Sequence, residues 1–303
     1  MANFKYKSYM LFQSVVRAIK DWKIVCKGQK EQYELLQIAH RLEKGLLIEA
    51  PRPLWGWEKA ERLGELIKCM DEGFFKQTGL SVLNAYLESK EKSANKEDRD
   101  KCHRFKNKYV LDLYRDKGGT IVFKADTFSE TEIVTVEKLF NTRHSIRTFA
   151  DDDVSERVLL KAIDLALRCP SACNRQPFHV YVIDKETKES IGNNEGYSGN
   201  KYIFVTGDIR AYTIGEFNDW IVSPSIFVGY LTLALHLYGI ESCVIRKDLV
   251  CDTEYNKKVK SVCHIPDEEK LILELAIGYV KTDNIVPFSN RHNASEITSF
   301  INR

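Results

Sequence analysis

An α+β fold with a helical annex at its N-terminus is what this sequence predicts, on three observations. The first part, to about Tyr114, carries apolar residues at helical spacing and no strand-like run. The rest alternates helical stripes with four short runs rich in branched residues. The composition supports a packed core: 44% of the 303 residues are hydrophobic and 29% charged. That balance excludes disordered, collagenous and low-complexity architectures.

The annex is read from its stripes. Leu35, Ala39, Leu42 and Leu46 recur on one helical face, and so do Trp57, Ala60, Leu63, Ile67 and Met70. Between them, Pro51 and Pro53 cannot continue a helix, so residues 49–57 form a turn rich in Pro and Trp. Residues 88–104 are crowded with charge of both signs and read as a solvated helix face or loop. Gly118 and Gly119 mark a break. We place the annex at residues 1–125 and a second domain at 126–303.

In the second domain, Ser129 followed by Glu132 fits a capping box and starts a helix towards Phe140. Ser155 caps another, with Leu159, Ile163 and Ala166 as its stripe and Pro170 beyond its end. Four runs read as strands: His179–Ile183, Tyr202–Val205, Cys243–Ile245 and Leu271–Ile277. An apolar helix of about Asp219–Tyr238 lies among them, and Gly239 is well placed to end it. No internal repeat is present.

Charge and targeting signals narrow the function classes. Lys+Arg is 45 and Asp+Glu 43, a net +2, unlike the clearly basic balance that nucleic-acid binding needs. The first twenty residues show no bounded apolar core of a secretory signal. The most apolar stretch, Ser225–Ile240, falls short of the roughly 20 residues of a bilayer span and carries His236. Eight cysteines scattered along a mid-sized chain suit reduced thiols. A cytoplasmic protein with no membrane span and no nucleic-acid partner is expected.

Phosphate-binding glycine signatures are absent: no Gly-x-Gly-x-x-Gly follows a strand, and no Gly-Lys-Ser/Thr closes a P-loop. A nucleotide would have to be gripped by side chains. In Arg143-His-Ser-Ile-Arg147, two guanidiniums and a hydroxyl occupy alternate residues, which an extended segment points the same way. Arginine's planar fork matches phosphate oxygens, and Ser145 adds a short donor. Taken alone, the pattern also fits ordinary surface arginines. The loop Cys169-Pro-Ser-Ala-Cys-Asn-Arg-Gln-Pro177 joins a helix to a strand and presents Ser171, Asn174 and Gln176, with Arg175 between them. Amides with donor and acceptor edges suit a planar heterocycle. Such residues equally often cap their own turn.

Together these motifs resemble the nitroreductase family of FMN-dependent oxidoreductases. The resemblance continues through Ser223–Ile245 with Gly239-Ile-Glu-Ser-Cys243, then Ala276-Ile-Gly-Tyr279 and Pro287-Phe-Ser-Asn-Arg291. It covers about Glu137 to the C-terminus. It implies a mixed, mainly antiparallel sheet flanked by helices, and a homodimer with FMN at the subunit interface. By the same resemblance Arg143, Ser145 and Arg147 would hold the FMN phosphate and ribityl chain, with Arg291 reaching that phosphate and His144 a backbone-level neighbour. Asn174 and Gln176 would face the flavin or its ribityl chain, beside Pro170, Ser171 and Ala172. Val244, Ile245 and Arg246 align with the stretch whose backbone lies against the isoalloxazine.

The chain departs from the pattern at two places. Arg246-Lys247 stands where many relatives carry Gly or Glu-Gly; two cations there would either stabilise anionic reduced flavin or point into solvent. Ser289 stands where some relatives place Lys. The resemblance further implies NADH or NADPH as electron donor and ping-pong hydride relay to a small-molecule acceptor, with no protein acid or base assigned. The acceptor pocket would be built by about Gly192–Asp219, where Tyr197, Tyr212, Phe217 and the adjacent Trp220 could stack on substrate, although aromatics there more often pack. A flavin dehydrogenase or oxidase that does not use NAD(P)H, and a non-catalytic scaffold, stand as alternatives. Cys169 and Cys173 lack the second ligand pair of a zinc site. A Cys–His nucleophile pair has no local signature. His40 lies on a charged helix face, read as exposed.

Overall fold

The computed structural model describes residues 2–49, 51–108, 118–192, 198–216, 218–246, 253–281 and 284–301. Five helices open the chain: α1 (Ala2–Val25), α2 (Glu31–Leu46), α3 (Trp57–Cys69), α4 (Phe74–Glu91) and α5 (Lys96–Lys108). The predicted stripes are the buried faces. Leu35, Ala39 and Leu42 of α2 pack with Trp57, Ala60, Leu63 and Ile67 of α3 and with Val82, Leu83 and Tyr86 of α4 in one core. At Gly45 a Cβ would fall inside the Trp55 ring, so the glycine lets the Pro/Trp turn lie flat on α2.

The charged run 88–104 is not simply a solvated face. Lys90 and Asp98 are each only 3% exposed and paired at 3.1 Å. Trp57 Nε1 donates to the same carboxylate at 2.9 Å. Burial opposes ionisation of Asp98, but the Trp57 and Lys90 hydrogen bonds prevail and hold its carboxyl below the ordinary range. The sequence alone hides this because one buried pair among many charges leaves no compositional trace.

The second half carries α6 (Glu130–Thr142), α7 (Glu156–Ala166), β1 (Phe178–Asp184), α8 (Lys185–Ile191), β2 (Lys201–Asp208), α9 (Asp219–Leu237), β3 (Glu241–Arg246), α10 (Glu254–Val262), β4 (Glu269–Gly278) and α11 (Ala294–Ile297). All four predicted strands form, in spatial order β1-β2-β4-β3, and every ladder is antiparallel. Among the described residues, parallel pairing is confined to two isolated bridges, Ser145 with Ser242 and Thr148 with Ser198. The architecture is α+β. The capping box at Ser129 and Glu132 is complete. Ser155 occupies the N-cap of α7 without a side-chain cap bond.

The sheet core buries Ile203, Val205, Leu275 and Ile277 against Phe227, Leu231 and Leu235 of α9 and Leu159, Ala162 and Ala166 of α7. By length and composition α9 could cross a bilayer, yet half of its apolar window is buried inside the fold (50%). Its entry is tightly fitted. Pro224 has no N–H for the Trp220 carbonyl one turn earlier, and a Cβ at Gly207 of β2 would sit 2.2 Å from that oxygen. Gly239, at φ +73°, ends the helix.

The annex docks on one end of the sheet. Asp21 pairs with Lys270 at 2.7 Å, and Tyr33 donates to Asp208 at 3.1 Å. Val25 and Tyr33 share an apolar cluster with Ile209, Tyr212, Trp220 and Ile272.

Candidate functional site

The 143–147 segment leaves α6 as extended backbone: Arg143 is the C-cap residue, at φ −69° and ψ 120°. Thr142 Oγ1, beside it, lies 2.8 Å from His236 Nε2, which fastens this end of α6 to α9. Ser145 bridges Ser242 of β3, and the Ile146 N–H donates to the Ser242 carbonyl at 3.1 Å. Ile146 and Phe149 are buried with Tyr202 and Ala276, and Ile245 packs against that cluster. Apolar anchoring of 146 and 149 therefore holds the segment along the sheet edge. The cavity lined by the adjacent Arg143 and His144 does not include Ser145 or Arg147, so the three alternate residues do not share it.

Arg143 and His144 line a cavity of about 390 Å³ together with Arg291, Phe288 and Ser289 of the C-terminal segment and Gly229, Thr232 and Leu233 of α9. His144 donates from Nδ1 to the Thr142 carbonyl at 2.9 Å, which leaves Nε2 for other partners. Arg147 is exposed and near Cys243. Burial raises that thiol, and the guanidinium opposes the shift. Val244 is exposed, its neighbours Cys243 and Ser242 buried. Arg246 ends β3 opposite Leu273; its side chain, and Lys247, lie outside the described residues.

The 169–177 loop is set by an unusual backbone. Cys173, Asn174 and Gln176 all have positive φ, 51°, 51° and 47°, a conformation that costs non-glycine residues energy and needs support. Part of that support is local: Ser171 Oγ accepts from the Gln176 N–H at 3.1 Å, and Gln176 Nε2 lies 3.3 Å from Asn174 Oδ1. Pro170 and Asn174 are exposed, while Ser171, Ala172 and Gln176 are half-buried. The Ala172 N–H donates to Ser223 Oγ near the start of α9 at 3.4 Å.

Arg175 does not present itself with its neighbours. It is 1% exposed and points inward to Glu216. Its fixed fork and the turn geometry on either side account for this; the residue type alone gave no sign of it. Tyr212 and Trp220 are core residues in contact with the annex, unable to stack on a substrate. Burial pushes the Tyr212 hydroxyl up to about 12. Tyr197 and Phe217 lie outside the described residues. His40 is half-buried beside Glu43, at 3.7 Å. Among the described residues no group of His, Cys, Asp and Glu could hold a metal ion.

One chain thus gathers Arg143, His144 and Arg291 in one cavity, with Ser145 and Arg147 following along β3. The 170–176 loop stands near the other end of α9 and does not line that cavity. Ser223 and Gly229–Leu233 are separated by roughly 9–15 Å of helix rise.

Residues 141–213, which contain both motifs, β1 and β2, match the model of the nitroreductase family. A protein of Archaeoglobus fulgidus carrying the name NADH dehydrogenase/NAD(P)H nitroreductase is 24% identical over 152 residues, 48% of this chain and 86% of its own length. The nitroreductase family protein of Streptococcus pneumoniae TIGR4 is 22% identical, with 55% of this chain and 100% of that chain covered and a TM-score of 0.45. The FMN-dependent nitroreductase of Clostridium difficile R20291 gives 22% identity, 55% and 99% coverage and a TM-score of 0.45.

Proposed function

We propose that this chain, whose residues 141–213 match the model of the nitroreductase family, is an FMN-dependent NAD(P)H oxidoreductase acting on a small-molecule acceptor. The observation that carries this reading is the cavity that Arg143, Arg291 and His144 line together. Cations with bidentate geometry, and no glycine cradle, fit a phosphate monoester held by side chains. Arg143, Arg291 and His144 would bind that phosphate, and Ser145 and Arg147 would follow the ribityl chain along β3. Asn174 and Gln176 would present amide edges to the flavin, with Pro170, Ser171 and Ala172 shaping the contact. The backbone of Val244, Ile245 and Arg246 would lie along the ring.

When bound, FMN would supply the hydride and electron-transfer chemistry, between NADH or NADPH and the acceptor in ping-pong order. The protein's part would be to hold the phosphate with Arg143 and Arg291 and to position the flavin beside β3.

A homodimer completes this reading. Tyr230 of α9 is 45% exposed beside Ile226, and α6 leaves Ile133, Val134, Val136 and Phe140 uncovered. Phe300 and Ile301 extend beyond α11, also exposed. A second copy would cover these faces and bring its own 170–176 loop towards the arginine cavity. The described cysteines are all free, which suits a reducing cytoplasmic setting. Residues between Leu35 and Phe105 form a hydrophobic core that lies outside the family match, in keeping with the annex expected at residues 1–125.

The test is direct. Protein saturated with FMN is mixed anaerobically with NADH or NADPH while flavin absorbance is followed. Bleaching by one of them, with reoxidation only after an acceptor is added, is expected; no bleaching by either sinks the reading.

A further inference from the structure

The carbonyl of Ala211 accepts two hydrogen bonds: from Gln29 Nε2 of the annex at 2.7 Å and from Arg175 Nη1 of the flavin loop at 2.6 Å. From this shared acceptor we infer that Arg175 is a positioning residue for the cofactor loop, and that the annex is part of the support on which it stands.

Arg175 is held on every side. Its Nε donates to the Ala172 carbonyl within its own loop at 3.1 Å, its Nη1 to Glu216 at 3.0 Å, and its Nη2 pairs with the other Glu216 oxygen. The guanidinium lies over the Tyr212 ring, 4.8 Å from the centroid. Tyr212 in turn donates to Ser223 Oγ at 3.0 Å, the same oxygen that receives the Ala172 N–H. Loop, 208–216 segment and α9 are thereby closed into one ring of contacts.

This ring fixes a backbone that would otherwise relax. The positive-φ residues 173, 174 and 176 flank Arg175 on both sides, and left-handed non-glycine residues persist only where surroundings over-determine them. Asn174 and Gln176 carry the amides that would face the flavin. Arg175 touches none of the reacting atoms and acts through those two neighbours.

The far side of the ring rests on the annex. Beyond the Gln29 bond, the Lys30 N–H donates to the Arg210 carbonyl at 3.0 Å, and Tyr33 donates to Asp208, whose carboxylate also receives the Arg210 guanidinium. The 208–216 segment is therefore clamped between α1–α2 and the flavin loop. A role for the annex follows: it stiffens the cofactor loop from behind.

The inference rests on the FMN reading above, and the test separates their failures. FMN is titrated into apoprotein by flavin fluorescence for the wild type, Glu216→Gln, Gln29→Ala and a Gln176→Ala background. Glu216→Gln retains shape but removes the counter-charge of the buried Arg175. The apoprotein melting temperature shows whether the fold is kept; if it is not, Gln29→Ala, which leaves that ion pair in place, keeps the inference falsifiable. Glu216→Gln is expected to raise the FMN Kd about ten- to a hundredfold, the range for a charge-assisted hydrogen bond, and Gln29→Ala to raise it by a smaller factor. Bound-flavin absorbance should lose fine structure in both. In the Gln176→Ala background, Glu216→Gln should cost much less than it does alone, because coupled residues are non-additive. An unchanged Kd and spectrum in Glu216→Gln, or full additivity with Gln176→Ala, overturns the positioning role. Wild-type protein that takes up no FMN overturns the cofactor reading instead.

Discussion

Arg143, at the end of α6, and Arg291, in the C-terminal segment, line the same cavity. No carboxylate is among that cavity's described lining residues, and the proposed phosphate site rests on this pair of cations.

Replacing Arg143 with Ala should weaken FMN binding about ten- to a hundredfold, and Arg291→Ala should do the same. Arg147→Ala should also weaken binding, by less, because that side chain is exposed and its charge is screened by solvent. Equilibrium fluorescence titration decides; an unchanged Kd for Arg143→Ala removes it from the phosphate site.

The dimer carries its own prediction. Tyr230→Glu on the exposed face of α9 should shift sedimentation towards monomer and lower flavin occupancy in parallel. A monomeric peak that still holds stoichiometric FMN would show that one chain suffices.

Asp98→Asn strips the buried Lys90 of its counter-charge. Leaving an unpaired buried ion costs about 3–5 kcal/mol, read as a lower denaturant midpoint. Replacing both members of the pair with apolar residues should cost less than Asp98→Asn alone, and the reverse order would refute the account.

Gly207→Ala should destabilise by about 2 kcal/mol or more, since the new methyl meets the Trp220 backbone carbonyl and not a movable side chain. Chemical denaturation measures the loss. A neutral result would mean that α9 can pull away from β2.

Glu216 gives a pH dependence of defined sign. Arg175's hydrogen bonds, opposed by burial, hold its carboxyl below the ordinary range. A depressed folded value stabilises above the unfolded value, about 4.3 for Glu, and the contribution disappears as pH falls through the folded value. The stability difference between wild type and Glu216→Gln should be constant at neutral pH and shrink below about pH 4.3. A difference independent of pH would contradict the pairing.

Much of the fold was legible because it is local chemistry. The stripes Leu35–Leu42 and Trp57–Ile67, the box at Ser129 and Glu132, and the four branched runs each encode an element through side-chain period or backbone satisfaction alone. The Arg143, Ser145 and Arg147 alternation fitted an extended segment, but only the structure shows Ile146 and Phe149 buried as its anchors.

What the sequence by itself determined, then, is the set of elements and their amphipathic faces. Tertiary structure alone decided that Arg175 turns inward while Asn174 stays exposed, that Lys90 and Asp98 leave a charged run to become a buried pair, and that Gln29 shares an acceptor with Arg175. The physical reason is range. Periodicity and capping act over a few residues, whereas the fate of an isolated charge depends on which distant group arrives to satisfy it, and only the folded chain settles that.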